Sequence, residues 1–191
     1  MSMSMSMSNY NTLPDGLPVP EDDGQADHLL GMTMPNVKLK STQGREVALD
    51  GLGSGRTVVY VYPMTGKPGV PLPDGWDEIP GARGCTPESC GFRDHFAELQ
   101  AAGAQNVFGL SNQDTGYQAE LAQRIDLPFE LLSDDEGKLG SALRLPTFVV
   151  EGKALYKRLT LVILDGQIEK VFYPVFPPDK HAQEVLDWLK G

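Results

Sequence analysis

The sequence predicts an α/β fold in which a central mixed β-sheet, opened by an N-terminal β-hairpin, is flanked by helices. Strand-like and helix-like periodicities alternate along the chain, a tight-turn dipeptide joins two late strands, and an amphipathic helix closes the sequence. At 191 residues the chain suits one domain built on a single core.

Residues 1–27 begin with alternating Met and Ser and continue rich in Pro, Ser and acids, without hydrophobic periodicity. Such a stretch buries too little apolar surface to offset its ordering, so a flexible arm is expected, with the domain spanning 28–191. Val37 and Leu39 answer Val47 and Leu49 across a Gln-Gly turn, the pattern of a hairpin. The run TVVYVYP, closed by Pro63, reads as a central strand buried on both faces. About twenty residues rich in Gly and Pro follow, longer than loops in compact domains usually are, so an insertion is expected at about 64–80.

In TPESCGFRDHFAELQAAG, Thr86 is the expected N-cap, Pro87 the first helical residue and Gly103 the stop, with Phe92, Phe96 and Leu99 on one face. Strand QNVFGLS, a helix capped by Asp114, the extended piece LPFELLS and a short helix near DDEGKLGSAL come next. The strands RLTLVIL and IEKVFY meet at Asp165-Gly166, suited to a type I′ turn. The last helix, DKHAQEVLDWLK, has Asp179 as its expected cap. A βαβα run followed by a hairpin and a terminal helix is the element order of a thioredoxin-like fold.

A formal charge of −10 argues against nucleic acid or an anionic membrane as partner, because phosphate binding needs clustered Lys and Arg. The N-terminus lacks the basic and apolar regions of a signal peptide, and no apolar run approaches the ~18 residues of a membrane span. A cytoplasmic setting is expected, where a transient disulfide suits the two cysteines better than a permanent one.

Cys85 falls at a helix N-terminus directly after a strand, where free N–H groups and the positive end of the dipole favour a thiolate, the nucleophilic form of cysteine. Cys90 follows five residues later, ~7.5 Å along an intact helix axis, beyond disulfide reach. A bond between them therefore requires the first turns to unwind, and Gly91 lowers that cost. The alternative from spacing alone is two inert buried thiols. A metal site would need more than Cys-x4-Cys with His28, His95 and His181, and the Cys-x-x-Cys of thioredoxin-type oxidoreductases is absent.

The segment GCTPESCGFRDHFAEL resembles the active-site helix of the Q-type peroxiredoxins, also called bacterioferritin-comigratory proteins. The likeness extends over roughly residues 29 to 190, leaving out the arm and the insertion. It implies a cofactor-free peroxidase without a metal, in which Cys85 is the peroxidatic cysteine, Cys90 resolves it as an intramolecular disulfide, and Arg158 is the active-site arginine. A guanidinium there would hold the thiolate and stabilise peroxide oxygens as charge builds.

One departure stands out. The family pattern Pro-x-x-x-Thr-x-x-Cys meets Glu78 and Ala82 at its Pro and Thr positions, so Pro63 and Thr65 at the strand end are expected to supply those groups across the insertion. Arg83 reads as a solvated loop charge, or as added positive potential beside Cys85; Arg93 as pairing around Asp94 or with Glu120, without a catalytic role; and Trp76 as a cover for the cleft or a contact surface. The implied substrates are hydrogen peroxide and organic hydroperoxides, and the implied reductant is thioredoxin or a similar dithiol, with the protein a monomer or small homodimer. The competing classes are a redox-regulated sensor module and a protein thiol–disulfide oxidoreductase.

Overall fold

A computed structural model describes residues 12–191. The Met-Ser repeat and the rest of residues 1–11 lie outside the described residues. Strand β1 (Lys38–Ser41) pairs with β2 (Glu46–Ala48), and Leu39 faces Val47 as the alternating pattern requires. Strand β3 (Arg56–Val61) is followed by the insertion, then by helices α1 (Cys85–Asp94) and α2 (Phe96–Ala101). After these come β4 (Ala104–Ser111), α3 (Thr115–Arg124), β5 (Leu131–Ser133), α4 (Lys138–Leu143), β6 (Thr147–Val150) and β7 (Lys153–Tyr156). Strands β8 (Leu159–Leu164) and β9 (Gln167–Phe172) and helix α5 (His181–Lys190) complete the chain.

Seven strands form one sheet in the order β2-β1-β5-β4-β3-β8-β9, and β6 pairs with β7 apart from it. The β3, β4 and β5 strands run parallel and the outer pairs antiparallel, which makes the sheet mixed. Because successive strand residues point to opposite faces, the continuous apolar run of β3 feeds two cores. Val58 and Tyr60, with Tyr62 just beyond the strand, pack among Phe92, Leu99, Leu121 and Leu186 of the helices on one face. Val59 and Val61 pack on the other face with Leu29, Met34, Leu139 and Leu143. The mixed sheet between helices, with its hairpin, follows the expected fold.

Local signals held where one residue sets the geometry. Asp114 accepts a bond from the Tyr117 N–H and caps α3. Asp165 and Gly166 both have positive φ, as a type I′ turn demands. Three expectations need correction. The long helix expected from Thr86 breaks at His95, and its N-cap is Gly84 in the left-handed region rather than Thr86. Asp179 does not cap the last helix; a 3-10 turn over Pro178–Lys180 precedes α5. The hairpin of β6 and β7 was not expected from the sequence.

That hairpin anchors the insertion. Trp76, in a 3-10 turn, is buried against Ala82 and Leu155, with its ring 6.0 Å from that of Phe148. Met64, Leu72 and Ile79 close this small third core. The described part of the arm also lies on the domain. Ala26 is buried, and Asp23 accepts bonds from Lys157 Nζ and the Tyr173 hydroxyl at 2.8 Å each.

Candidate active site

Cys85 is the first residue of α1 and is almost fully buried. Gly84 before it has φ 114°, and a Cβ there would collide with the Pro178 ring and with Leu13. Both facts call for glycine, so the turn that delivers the thiol is fixed by one residue without a side chain. Pro87 removes one N–H from the first helical turn, leaving fewer amides for the sulfur than a helix start normally offers. The Met64 backbone N–H, at the end of the stretch leaving β3, supplies another.

Arg158 immediately precedes β8, the antiparallel neighbour of β3, which brings it under the start of α1. Its Nη2 lies 3.2 Å from Cys85 Sγ, and its Nη1 donates to Glu88 Oε1 at 2.6 Å. The guanidinium also donates to the carbonyls of Gly81 (3.2 Å), Ala82 (2.9 Å) and Arg83 (3.4 Å). The end of the insertion thus wraps the arginine with backbone oxygens. Ala82 contributes its carbonyl, which needs no hydroxyl side chain.

Burial pushes the Cys85 thiol above the ordinary cysteine range; Arg158 pulls it back, Glu88 adds to the rise, and the Met64 amide lowers it. The expectation that helix position alone would lower this pKa is therefore corrected: desolvation outweighs it, and the guanidinium is the main opposing group. Burial likewise pushes the Glu88 carboxyl up, against the pull of Arg158 and His181. Glu88 Oε2 has no hydrogen-bond partner among the described residues.

Cys85 and Cys90 are both free thiols on one intact helix. Cys90 is half-buried at the edge of the helical core, and burial raises its thiol as well. Pro63 and Thr65 are buried near the end of β3. The Thr65 N–H and hydroxyl both point to Gln113 Oε1, at 3.1 and 3.4 Å, so Met64 rather than Thr65 provides the contact to sulfur seen here. Arg83 pairs with Asp77 within the insertion, and Arg93 with Asp94 and the Ile125 carbonyl.

Sequence reasoning missed Glu88 and the Met64 amide. Glu88 could have been found, since it lies three residues after Cys85 and shares its helix face. Among the described residues no group of three His, Cys, Asp or Glu side chains is placed to hold a metal ion. Nor, among them, is any helix long and apolar enough to cross a membrane.

A buried thiol at a helix start, held by an arginine from the neighbouring strand of a mixed sheet, defines a thiol-based redox site. Residues 29–186 match the family model described as Redoxin. Peroxiredoxin Q of Arabidopsis thaliana, chloroplastic, is 32% identical over 162 residues, covering 84% of this chain and 67% of that protein. Peroxiredoxin Q of Sedum lineare, also chloroplastic, is 32% identical over 166 residues, covering 84% and 77%. The chain spans about two thirds of the length of several of its curated relatives. The crystal structure of peroxidoxin BcpB from Mycobacterium tuberculosis superposes with a TM-score of 0.68 at 28% identity, covering 85% of this chain and 97% of that one. The chain belongs to the redoxin family, as a peroxiredoxin of the Q or bacterioferritin-comigratory type.

Proposed function

We propose that the protein is a thiol-dependent peroxidase that reduces hydrogen peroxide and organic hydroperoxides through Cys85. The contact between Arg158 Nη2 and Cys85 Sγ carries the reading, because it gives a buried sulfur a cation able to hold its ionised form. The thiolate attacks the terminal peroxide oxygen, the O–O bond breaks, and Cys85 becomes a sulfenic acid while water or an alcohol departs. Arg158 and the Met64 amide stabilise the charge that builds on the oxygens.

Cys90 then condenses with the sulfenic acid to give a disulfide, once the first turns of α1 have opened. An external dithiol such as thioredoxin returns both thiols by exchange, in a cytoplasmic setting, with the protein a monomer or small homodimer. Pro63 and Thr65 serve as positioning residues for the Met64 amide; near wild-type peroxide reactivity of Thr65→Val would remove that role from Thr65.

Mass spectrometry after one equivalent of hydrogen peroxide tests the scheme. A sulfenic or overoxidised adduct is expected only where residue 85 is still cysteine, and it accumulates in Cys90→Ser. Oxidation of Cys85→Ser at residue 90 alone would sink the assignment. Sustained turnover with thioredoxin and its reductase separates an enzyme from a one-shot sensor.

A further inference from the structure

The cavity at Cys85 is narrow, about 10 Å³, and is walled by Met64, Leu72, Trp76, Gly84, Cys85 and Thr86 among others. That volume is close to the ~10–15 Å³ that a single water requires, so it fits only the terminal O–H of a hydroperoxide. On its wall Thr86, directly after the reactive cysteine, has a hydroxyl that is buried and has no hydrogen-bond partner among the described residues. A buried hydroxyl left without a partner is destabilising, a cost that a ligand oxygen in the cavity would offset.

The donor inventory says what is missing without it. A hydroperoxide brings one O–H that needs an acceptor and oxygens that need donors. Guanidinium and amide N–H groups donate only, and the N–H groups of Arg158 already reach Gly81, Ala82, Arg83, Glu88 and Cys85. Thr65, whose hydroxyl donates to Gln113, is not among the residues that wall the cavity; Ala82 has no hydroxyl, and its carbonyl already accepts from Arg158. A threonine hydroxyl both accepts and donates.

We propose that Thr86 is a catalytic residue of this site, its hydroxyl accepting a hydrogen bond from the O–H of the bound hydroperoxide and presenting the terminal oxygen to sulfur. The step rests on the peroxidase reading above. The sulfur electron pair forms the S–O bond as O–O breaks, sulfur is oxidised by two electrons, and the peroxide is reduced. The departing oxygen takes up the proton that Cys85 released on ionising.

Thr86→Val removes the hydroxyl at nearly constant shape, and Thr86→Ser restores it. Three quantities are measured for each: the second-order rate of Cys85 oxidation by hydrogen peroxide, the alkylation rate with iodoacetamide, and the thiol pKa. The expected result is at least a tenfold slower oxidation in Thr86→Val, with alkylation within twofold of wild type and the pKa unmoved, and recovery of most of the loss in Thr86→Ser. Unchanged oxidation, a parallel fall in alkylation, or a serine variant as slow as the valine one would each overturn the role. Wild-type protein no faster with peroxide than free cysteine would instead bring down the peroxidase reading, and this role with it.

Discussion

Arg158 Nη1 lies 2.6 Å from Glu88 Oε1, and both side chains are out of solvent. The same guanidinium lies 3.2 Å from Cys85 Sγ, so one cation serves two buried acids. Each acid weakens the other's claim on it: the Glu88 charge raises the thiol pKa, while Arg158 lowers both groups.

Glu88→Gln should therefore lower the Cys85 pKa. The amide keeps an oxygen for Nη1 to donate to but removes the charge that opposes the thiolate. The pH profile of peroxide oxidation should shift to lower pH, and more thiolate should be present at neutral pH. A midpoint that moves upward would mean that Glu88 matters more for holding Arg158 in place than for its charge.

Removing the cation has the opposite sign. Arg158→Met leaves Glu88 buried without its partner, a change that costs ~3–5 kcal/mol when a buried pair is broken. The Cys85 pKa should rise further, because burial then acts with little opposition. Thermal unfolding and thiol titration check the two effects separately. Peroxide reactivity at neutral pH should fall far more than the thiolate fraction alone accounts for, since in the proposed reaction the guanidinium also stabilises the developing oxyanion.

What the sequence made legible was local. The buried strand TVVYVY, the Asp114 cap and the Asp165-Gly166 turn depend on neighbouring residues, and each formed as read. What it hid was non-local. Thr147–Val150 alternates between exposed and half-buried positions, and its packing partner is the insertion, so neither segment reveals the other alone. Glu88 looks like a solvated helix charge until Arg158, seventy positions on, makes its burial tolerable. Residues 12–27 lack periodicity because point contacts hold them, Asp23 to Lys157 and Ala26 in the core, with no apolar stripe to betray it.

Cys85 and Cys90 share one intact helix, so under the proposed scheme the rate of disulfide formation reports how easily α1 opens. A Cβ at Gly91 would meet Ala182 Cβ and the Asp179 carbonyl at 3.5 Å, an ordinary contact, so alanine fits. Gly91→Ala should stabilise the helix by ~0.5–1 kcal/mol. The expected outcome is a melting temperature raised slightly and disulfide formation slowed up to about fivefold, the factor that 1 kcal/mol gives when opening precedes the chemistry. Stopped-flow kinetics after a peroxide pulse reads this, and a longer-lived sulfenic acid should show as more overoxidation at high peroxide.

The contact between the arm and the domain carries a pH signature. Lys157 and Tyr173 hold the Asp23 carboxyl at about 2, below its ordinary 3.8. A depressed carboxylate contributes its full stabilisation above the unfolded value and loses it as pH falls from about 3.8 toward 2. Asp23→Asn should mimic that loss at neutral pH: cleavage by a broad-specificity protease near Pro20 to Gly24 should accelerate while the melting of the core stays close to wild type, because the pair is partly exposed. Protection of the arm that survives both the substitution and acid would show that apolar contacts such as Leu13 against Gly84 and Pro20 against Gly81 hold it without the ion pair.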